Sequence, residues 1–401
     1  MKILAIETSC DDTGIAVLQA SSSKFKVLAN VVSSQQIHAN YGGVFPMMAK
    51  REHQRNLVPV LEQALKLAKL VNPGHNTAPG FAKFKIPNSK LQILKKILEK
   101  ENNLFESTKE FLEKYEKPNV DIIAVTNGPG LEPCLHVGVN FAKALSYFWD
   151  IPVIPVNHIE GHILVNFMKH ETWNMKQMFP AISLVVSGGH TQLILVKKIG
   201  NYEIIGETRD DAAGECFDKA ARILGLGYPG GPIISKIASE FARSYLAKDP
   251  LRGMTSQILL PRPMMHSKDY DFSFSGLKTA VLYKIRDTDP KIAKSQEFIQ
   301  EMCFAVQDAI CDVLIKKTIN AAKAYKAKTI ILGGGVSANQ ELRKQFDYKL
   351  KAISYKLNLL VPPVNLSTDN GLMIAVAGYF NRNKKTSWKK LTVNANLRIG
   401  K

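Results

Sequence analysis

Short apolar stretches alternate along the chain with longer stretches in which apolar residues recur every three or four positions. The short stretches predict strands at 2–7, 13–19, 122–125, 152–156, 183–186, 191–196, 329–332 and 357–361. The longer, periodic stretches predict helices at 51–70, 137–149, 213–226, 233–247, 274–286, 296–324 and 339–351. Strands that alternate with helices favour an α/β protein in which helices cover the sheets.

A strand, a polar turn and a second strand open each half of the chain. Ser9 lies in the turn of the first unit and aligns with Ser187 in the second. The same alignment places Thr13 on Thr191. This similarity predicts two related lobes.

The segment 71–118 interrupts the alternation of strands and helices. Residues 72–88 form a loop-like mixture with Pro, Gly and Asn and no clear period. Ser89 and Ser107 each stand three residues before a Gln or a Glu, which is the pattern of a helix-capping box. We therefore predict an inserted helical hairpin on the surface.

Charge and length change this picture in two ways. The 401 residues suffice for two lobes, and 53 Lys and Arg against 35 Asp and Glu give a net charge of +18, with a pI near 9.5. Such a balance favours a polyanionic partner such as nucleic acid, although a generally basic proteome would produce it too. The five scattered cysteines lack C-x-x-C spacing, which favours a reducing cytoplasm over a disulfide framework. Neither a signal-peptide core nor an apolar run of about 20 residues occurs, so no membrane span is expected.

Two histidines with helical spacing follow the predicted strand at 152–156. His158 and His162 stand four residues apart, so both rings can face one metal ion from a single helix face. A metalloprotease would need Glu in place of Ile159 to activate water, and Glu160 points off the shared face. The protease interpretation therefore lacks its base. Ordinary surface or core histidines also occur at this spacing.

Glycine-rich loops follow two of the predicted strands. In the loop 187–190, adjacent glycines allow backbone N–H groups to line a phosphate, or they form a plain hairpin turn. In 333–339, three glycines allow close approach of a nucleotide, and the Asn339 side chain could bond its base or ribose. Neither loop has dinucleotide-binding or P-loop spacing. Asp369 lies in a loop where an ordinary N-cap is the alternative to a functional role.

Ten short motifs occur along the chain in a fixed order. They are 6–14 (IETSCDDTG), 41–44 (YGGV), 127–131 (NGPGL), 158–162 (HIEGH), 184–191 (LVVSGGHT), 217–219 (FDK), 228–232 (YPGGP), 272–278 (FSFSGLK), 333–339 (GGGVSAN) and 368–370 (TDN). In this order they strongly resemble the TsaD family, bacterial proteins also called Gcp or YgjD and once described as O-sialoglycoprotein endopeptidases. The resemblance runs from residue 2 to about 381 and is broken by the insert.

The resemblance implies a two-lobed α/β fold of the actin-like ATPase (ASKHA) superfamily with its site between the lobes. The first lobe would comprise 1–157, including the insert, and would be completed by 372–401, while 158–371 would form the second lobe. The implied reaction transfers a threonylcarbamoyl group from threonylcarbamoyl-adenylate to N6 of the adenosine at position 37, beside the anticodon. The acceptors would be tRNAs that read codons starting with A, and AMP would leave.

The resemblance also assigns residues and partners. His158, His162 and Asp369 would bind one divalent metal ion, with Fe²⁺ favoured and Zn²⁺ possible. The adenylate would be bound by Val185, Val186, Ser187, Gly188, Gly189, Asp218, Gly231 and Asn339. Besides tRNA, the implied partners are TsaB and TsaE, with a TsaC-type enzyme supplying the adenylate. Asp11, in the first-lobe loop, is our hypothesis for the residue that takes the amine's proton.

One departure from the family pattern and two alternative functions bear on this interpretation. Met47 stands where the family usually has Glu, so any contribution of that carboxylate is absent or supplied elsewhere. A small-molecule kinase of the same superfamily would use the glycine loops but has no evident use for the two histidines with Asp369. A nucleotide-gated tRNA-binding scaffold would bind tRNA without forming product.

Overall fold

The computed structural model describes residues 1–21, 24–71, 86–169, 175–248, 256–353 and 355–400. Its strands are β1 (Lys2–Glu7), β2 (Asp12–Ala20), β3 (Phe25–Ser34), β4 (Ile122–Gly128), β5 (Val153–Asn157), β6 (Ala181–Val186), β7 (Thr191–Lys198), β8 (Asn201–Glu207), β9 (Thr329–Gly333) and β10 (Asn358–Leu360). Its helices are α1 (Pro46–Leu67), α2 (Asn88–Ile97), α3 (Asn102–Lys114), α4 (Glu132–Trp149), α5 (His158–Leu164), α6 (Ala213–Ile223), α7 (Gly230–Lys248), α8 (Ser275–Arg286), α9 (Pro290–Ala293), α10 (Gln296–Ala324), α11 (Gln340–Lys351) and α12 (Gly371–Phe380).

The strands form two five-stranded sheets with the same topology. The first has the order β3-β2-β1-β4-β5 and the second the order β8-β7-β6-β9-β10. In each, the first three strands of the chain pair antiparallel and the last two join parallel. The predicted two-lobed α/β fold of actin-like type, with related halves, is confirmed.

Helices α5 and α12 lie between the two sheets. An apolar core joins Ile3 and Ala124 of the first sheet, Ile163 of α5, Ile374 of α12 and Val185 of the second sheet. All of these side chains are fully buried. Helix α5 contacts strands of both sheets, and α12 contacts the first sheet and α5. The residues that precede and begin these two helices are therefore held at the junction of the lobes.

The outer faces of the sheets are covered by the remaining long helices. Helices α1 and α4 pack on the first sheet, and α6, α7 and α10 pack on the second. The insert contributes α2 and α3, whose Leu94 and Phe111 are buried in the first-lobe core. The predicted helical hairpin is therefore present, whereas most of its predicted loop, 72–85, lies outside the described residues.

The predicted capping boxes of the insert are wrong. Pro87, not Ser89, precedes α2, and α3 begins at Asn102, so that Ser107 lies inside the helix. The Ser107 hydroxyl donates back to the carbonyls of Asn103 and Leu104, a local bond that competes with a capping role.

The C-terminal part of the chain packs on the first lobe. Helix α12 lies against β1 and β2, Thr386 exchanges backbone hydrogen bonds with Val153, and Leu391 is buried in the first-lobe core. The limits of the lobes at residues 157 and 372 stay a prediction.

Close backbone contact between α12 and β2 predicts a strong effect of adding one methyl group. A Cβ on Gly371 would lie 2.5 Å from the Ala16 backbone nitrogen, which no side-chain rotation relieves. We expect Gly371→Ala to lower the free energy of unfolding by about 1–3 kcal/mol or more, measured by urea denaturation. Gly276→Ala is the matched control, because no atom lies within 4 Å of its Cβ position in α8. Equal stability of Gly371→Ala and the wild type would contradict this packing.

Candidate active site

Helix α5 presents two imidazole rings at its first and second turns. The Asn157 side chain caps the helix by accepting a hydrogen bond from the Glu160 N–H at 3.1 Å. His158 and His162 are both buried, with ring centroids 4.7 Å apart and planes almost perpendicular. Glu160 points elsewhere, as predicted, and accepts from Tyr202 Oη. The two rings thus share one face of a short, capped helix.

Asp369 approaches the same face from the loop before α12. The N-cap of α12 is Asn370, whose Oδ1 accepts from the Met373 N–H at 3.1 Å, so Asp369 is free of a capping role. Its Oδ1 lies 3.2 Å from His162 Nε2 and 3.5 Å from His158 Nε2. The structure therefore brings together the three residues assigned to the metal.

The buried carboxylate of Glu7 orients the His158 ring from the side opposite Asp369. Glu7 Oε2 lies 3.2 Å from His158 Nδ1 and accepts from Thr126 Oγ1 at 2.5 Å. Its other oxygen accepts from the Ser9 N–H, and Ser9 Oγ lies 3.1 Å from the same ring nitrogen. The sequence analysis missed this role of Glu7. The only available signal was an acidic residue at the end of an otherwise apolar strand.

The electrostatics of the cluster differ between the two rings. Burial alone would lower the pKa of His158, but the Asp369 and Glu7 carboxylates outweigh it and raise that pKa to about 9. Burial lowers the pKa of His162. Burial opposes ionisation of Asp369 as well, yet His158 and His162 hold the pKa of this carboxyl below its usual range.

The cluster fits a divalent metal ion. One ligand atom from each of His158, His162 and Asp369 lies within 4.8 Å of the other two. Among the described residues, neither nitrogen of the buried His162 ring has an aligned hydrogen-bond partner, since the close Asp369 oxygen is not in hydrogen-bond geometry. Two imidazoles and one carboxylate form a donor set that suits Fe²⁺ and Zn²⁺. An unpartnered buried ring nitrogen is costly unless something binds it.

The loop after β6 leaves open space beside this cluster. Val185 and Val186 are buried at the end of the strand, and Ser187 Oγ accepts from the His190 N–H at 3.1 Å. Gly188 and Gly189 are exposed, and no atom lies within 4 Å of either Cβ position. The glycines are therefore not required by packing within the protein, and the open space would admit a ligand to the backbone.

The glycine loop after β9 does touch the cluster. A Cβ on Gly333 would lie 2.8 Å from the His162 carbonyl oxygen, and one on Gly334 would lie 2.3 Å from that of Val186. Gly334 also has a φ of +84°, which side chains rarely adopt. The two glycine loops and the histidine helix are thus in direct backbone contact.

Two of the three other residues assigned to the adenylate are engaged within the protein, and the third is open. Asp218 Oδ1 accepts from the Gly230 N–H at 2.7 Å, and burial raises the pKa of its carboxyl. Asn339 caps α11 through Oδ1, and its Nδ2 donates to Gln307 at 2.8 Å. Both ends of the Asn339 amide are therefore in use. Gly231 has only one neighbour within 4 Å of its Cβ position, at 3.9 Å, and stays open to a ligand.

Acidic residues of the first-lobe turn surround the cluster. Burial and the nearby Asp369 raise the pKa of Asp11, and the same causes raise the pKa of Asp12 to about 7. Met47 lies in the first turn of α1 with 59% of its surface exposed. Its thioether side chain cannot supply the carboxylate that the family resemblance leads us to expect at this position.

Comparison with known proteins decides the family. The family model described as "TsaD: tRNA N6-adenosine threonylcarbamoyltransferase" matches residues 26–72 and 100–376. The chain belongs to the TsaD family. The prediction that it is a transferase of this class is confirmed.

Named relatives agree with the TsaD assignment over nearly the full length. Proteins named tRNA N6-adenosine threonylcarbamoyltransferase from Thermosipho africanus and Bacillus cereus are 41% and 38% identical. The first comparison covers 94% of both chains, and the second covers 98% of this chain and 95% of the relative. A solved activator of 2-hydroxyisocaproyl-CoA dehydratase from Clostridium difficile covers 96% of both chains at 10% identity, with a TM-score of 0.43.

Across the described residues, no helix combines the length and the apolar character needed to cross a bilayer.

A buried histidine beside the first-lobe turn predicts acid sensitivity. His53 Nε2 lies 2.9 Å from the Cys10 carbonyl and Nδ1 lies 2.8 Å from Thr13 Oγ1, and burial lowers the pKa of His53 to about 4. In the unfolded chain, His53 takes up a proton near pH 6.5, whereas in the folded chain it does so only near pH 4. The free energy of unfolding therefore falls as the pH drops from 6.5 to 4, and His53 accounts for about 3 kcal/mol of this fall.

We expect His53→Gln to be less stable than wild type at pH 7.5 and to lose less stability on acidification. Urea denaturation at several pH values measures both. Parallel pH dependence of the two proteins would contradict a neutral, buried His53.

Proposed function

We propose that this chain transfers the threonylcarbamoyl group from threonylcarbamoyl-adenylate to N6 of the adenosine at position 37 of tRNAs that read codons starting with A, releasing AMP. TsaD-family membership supports modification of tRNA adenosine. The observation that carries the proposal is the convergence of His158, His162 and Asp369 beside two glycine loops, one of which is open at Gly188 and Gly189. The kinase alternative gives this cluster no task.

The reaction mainly requires positioning. The exocyclic amine attacks the carbonyl carbon of a mixed anhydride, the bond from that carbon to the phosphate oxygen breaks, and AMP leaves with the electron pair. The phosphate is already a good leaving group, so orientation of the two reactants supplies much of the rate. The open backbone at Gly188 and Gly189 is suited to holding the adenylate and to stabilising developing charge through N–H donors.

We propose that Asp11 takes the amine's proton. Asp11 lies in the first-lobe turn, and its raised pKa makes it a stronger base than an ordinary aspartate. Asp11 interacts electrostatically with Asp369 and with Asp218, which supports this role beside the metal-ligand cluster.

His158, His162 and Asp369 would hold the divalent metal ion, with Fe²⁺ favoured and Zn²⁺ possible. A bound ion at this site would supply a Lewis acid that polarises a substrate oxygen. Glu7 holds the His158 ring so that Nε2 faces the site. Proposed partners are tRNA, TsaB and TsaE, with a cytoplasmic location.

The direct test is reconstitution of the modification. The purified chain with TsaB, TsaE and a TsaC-type enzyme is incubated with threonine, bicarbonate, ATP and unmodified tRNA, and nucleosides are analysed by mass spectrometry. We expect N6-threonylcarbamoyladenosine. Its absence with all partners demonstrably active, while tRNA still binds, would favour the scaffold alternative.

Loss of a metal ligand should remove both ion and activity. We expect His162→Ala and Asp369→Ala to contain less than about a tenth of the wild-type metal, measured by plasma mass spectrometry, and to lose activity on the order of 10²-fold or more. His266→Ala is the matched control, since His266 is exposed and its Nδ1 lies 3.3 Å from Lys316 Nζ, away from the cluster. Full metal content in both ligand variants would refute the ligand assignment.

The proton-acceptor hypothesis predicts a specific kinetic defect. We expect Asp11→Asn to lower kcat by about 10²–10⁴-fold, because the amide cannot accept the proton, while the bound metal is retained. Single-turnover assays and metal analysis separate the two effects. Wild-type turnover in Asp11→Asn would show that another group takes the proton.

A further inference from the structure

A large groove on the first lobe is lined by lysines. Its volume is about 1740 Å³, and its walls are formed by α1, α2, α4 and the segment 385–390. Five of its lysines lie in parts of the chain that the TsaD family model does not match: Lys90, Lys96, Lys385, Lys389 and Lys390. Lys90 and Lys96 lie in α2 of the insert, and Lys385, Lys389 and Lys390 lie in the C-terminal segment that packs on the first lobe.

The remaining lysines of the groove come from matched segments. They are Lys50, Lys100 and Lys143, which brings the total to eight, against four lining carboxylates: Glu99, Glu101, Glu132 and Asp150. Within the part of the chain that the structure describes, only Lys50 has a carboxylate oxygen within 4.0 Å, at 3.7 Å in Glu101. Seven ammonium groups are thus left without a direct counter-charge.

The walls formed by α2 and by the segment 385–390 are both fixed in place. Leu94 and Leu98 anchor α2 in the first-lobe core, and Lys90 Nζ lies 5.2 Å from the centre of the Phe148 ring. On the other side, Trp388 packs edge-on against Tyr147 with ring centroids 5.4 Å apart. Because the walls are anchored, the lysines are held together at the groove without needing a ligand to assemble them.

We propose that this groove binds the phosphate backbone of tRNA. Unpaired lysines act as point charges for phosphate, and each neutralised phosphate releases counterions. The inference rests on the proposed function, because tRNA is the polyanion that this enzyme must hold. Lys143 adds support, since it is half-buried and burial lowers its pKa, so a bound anion would stabilise its charge.

The test measures binding directly and does not depend on chemistry. An unmodified tRNA transcript is titrated with the full chain, without adenylate, at several salt concentrations. We expect the triple variant Lys90→Gln, Lys96→Gln and Lys389→Gln to bind about tenfold or more weakly, with a log–log salt slope shallower by about 2–3. The matched control changes three exposed lysines on the second lobe, Lys284→Gln, Lys291→Gln and Lys294→Gln, and removes the same charge.

Three outcomes decide the proposal. A loss specific to the groove variant supports it, even if the modification assay yields no product, so the two proposals fail separately. Equal losses in both variants would mean that tRNA binding depends on the total positive charge and not on the groove, which would overturn the proposal. Unchanged tRNA binding in the groove variant would also overturn it and would favour an acidic protein partner.

Discussion

A buried hydrogen-bonded pair, Glu7 and His158, is the interaction on which the site depends. Glu7 has no exposed surface, and a carboxylate in that position is costly unless a charged or hydrogen-bonding partner compensates. His158 Nδ1, Thr126 Oγ1 and the Ser9 N–H supply that compensation. Because Nδ1 is held by the carboxylate, the opposite nitrogen of the ring must face Asp369. The orientation of the first ligand is thus set by the end of β1.

The fold brings the remaining ligands together through close backbone packing. Helices α5 and α12 share the space between the sheets, and Gly161 of α5 meets Met373 and Ile374 of α12 within 3.5 Å of its Cβ position. On the other side of α12, Gly14 and Gly371 allow β2 and the helix to approach without an intervening side chain. A larger residue at these contacts would displace the start of α12 and, with it, Asp369. The ligand cluster is therefore a consequence of helix packing rather than of local loop structure.

Sequence patterns predicted long helices better than they predicted edge strands of the sheets or contacts between distant parts of the chain. The helix over 296–324 is found as α10 with the same ends, because its apolar period is long and a serine caps it. β3 was missed, since its residues alternate between exposed and partly buried positions at a sheet edge. The His158–His162 spacing indicated a metal, and the family resemblance supplied Asp369. Nothing local could reveal Glu7, which meets its histidine 151 positions along the chain.

The charges that would serve the proposed reaction are opposite in sign to those that would hold tRNA. Burial raises the pKa of Asp12 to about 7, and repulsion from the carboxylates of Asp369, Asp11 and Glu7 adds to this rise. An acidic centre of this kind orients a metal ion and a base but repels the phosphates of a polyanion. The positive charge that retains tRNA must therefore lie away from the centre, and the net charge of +18 leaves ample surface for it. The proposed reaction therefore constrains the residues of the cluster, and the proposed tRNA contact is made by lysines that are not part of it.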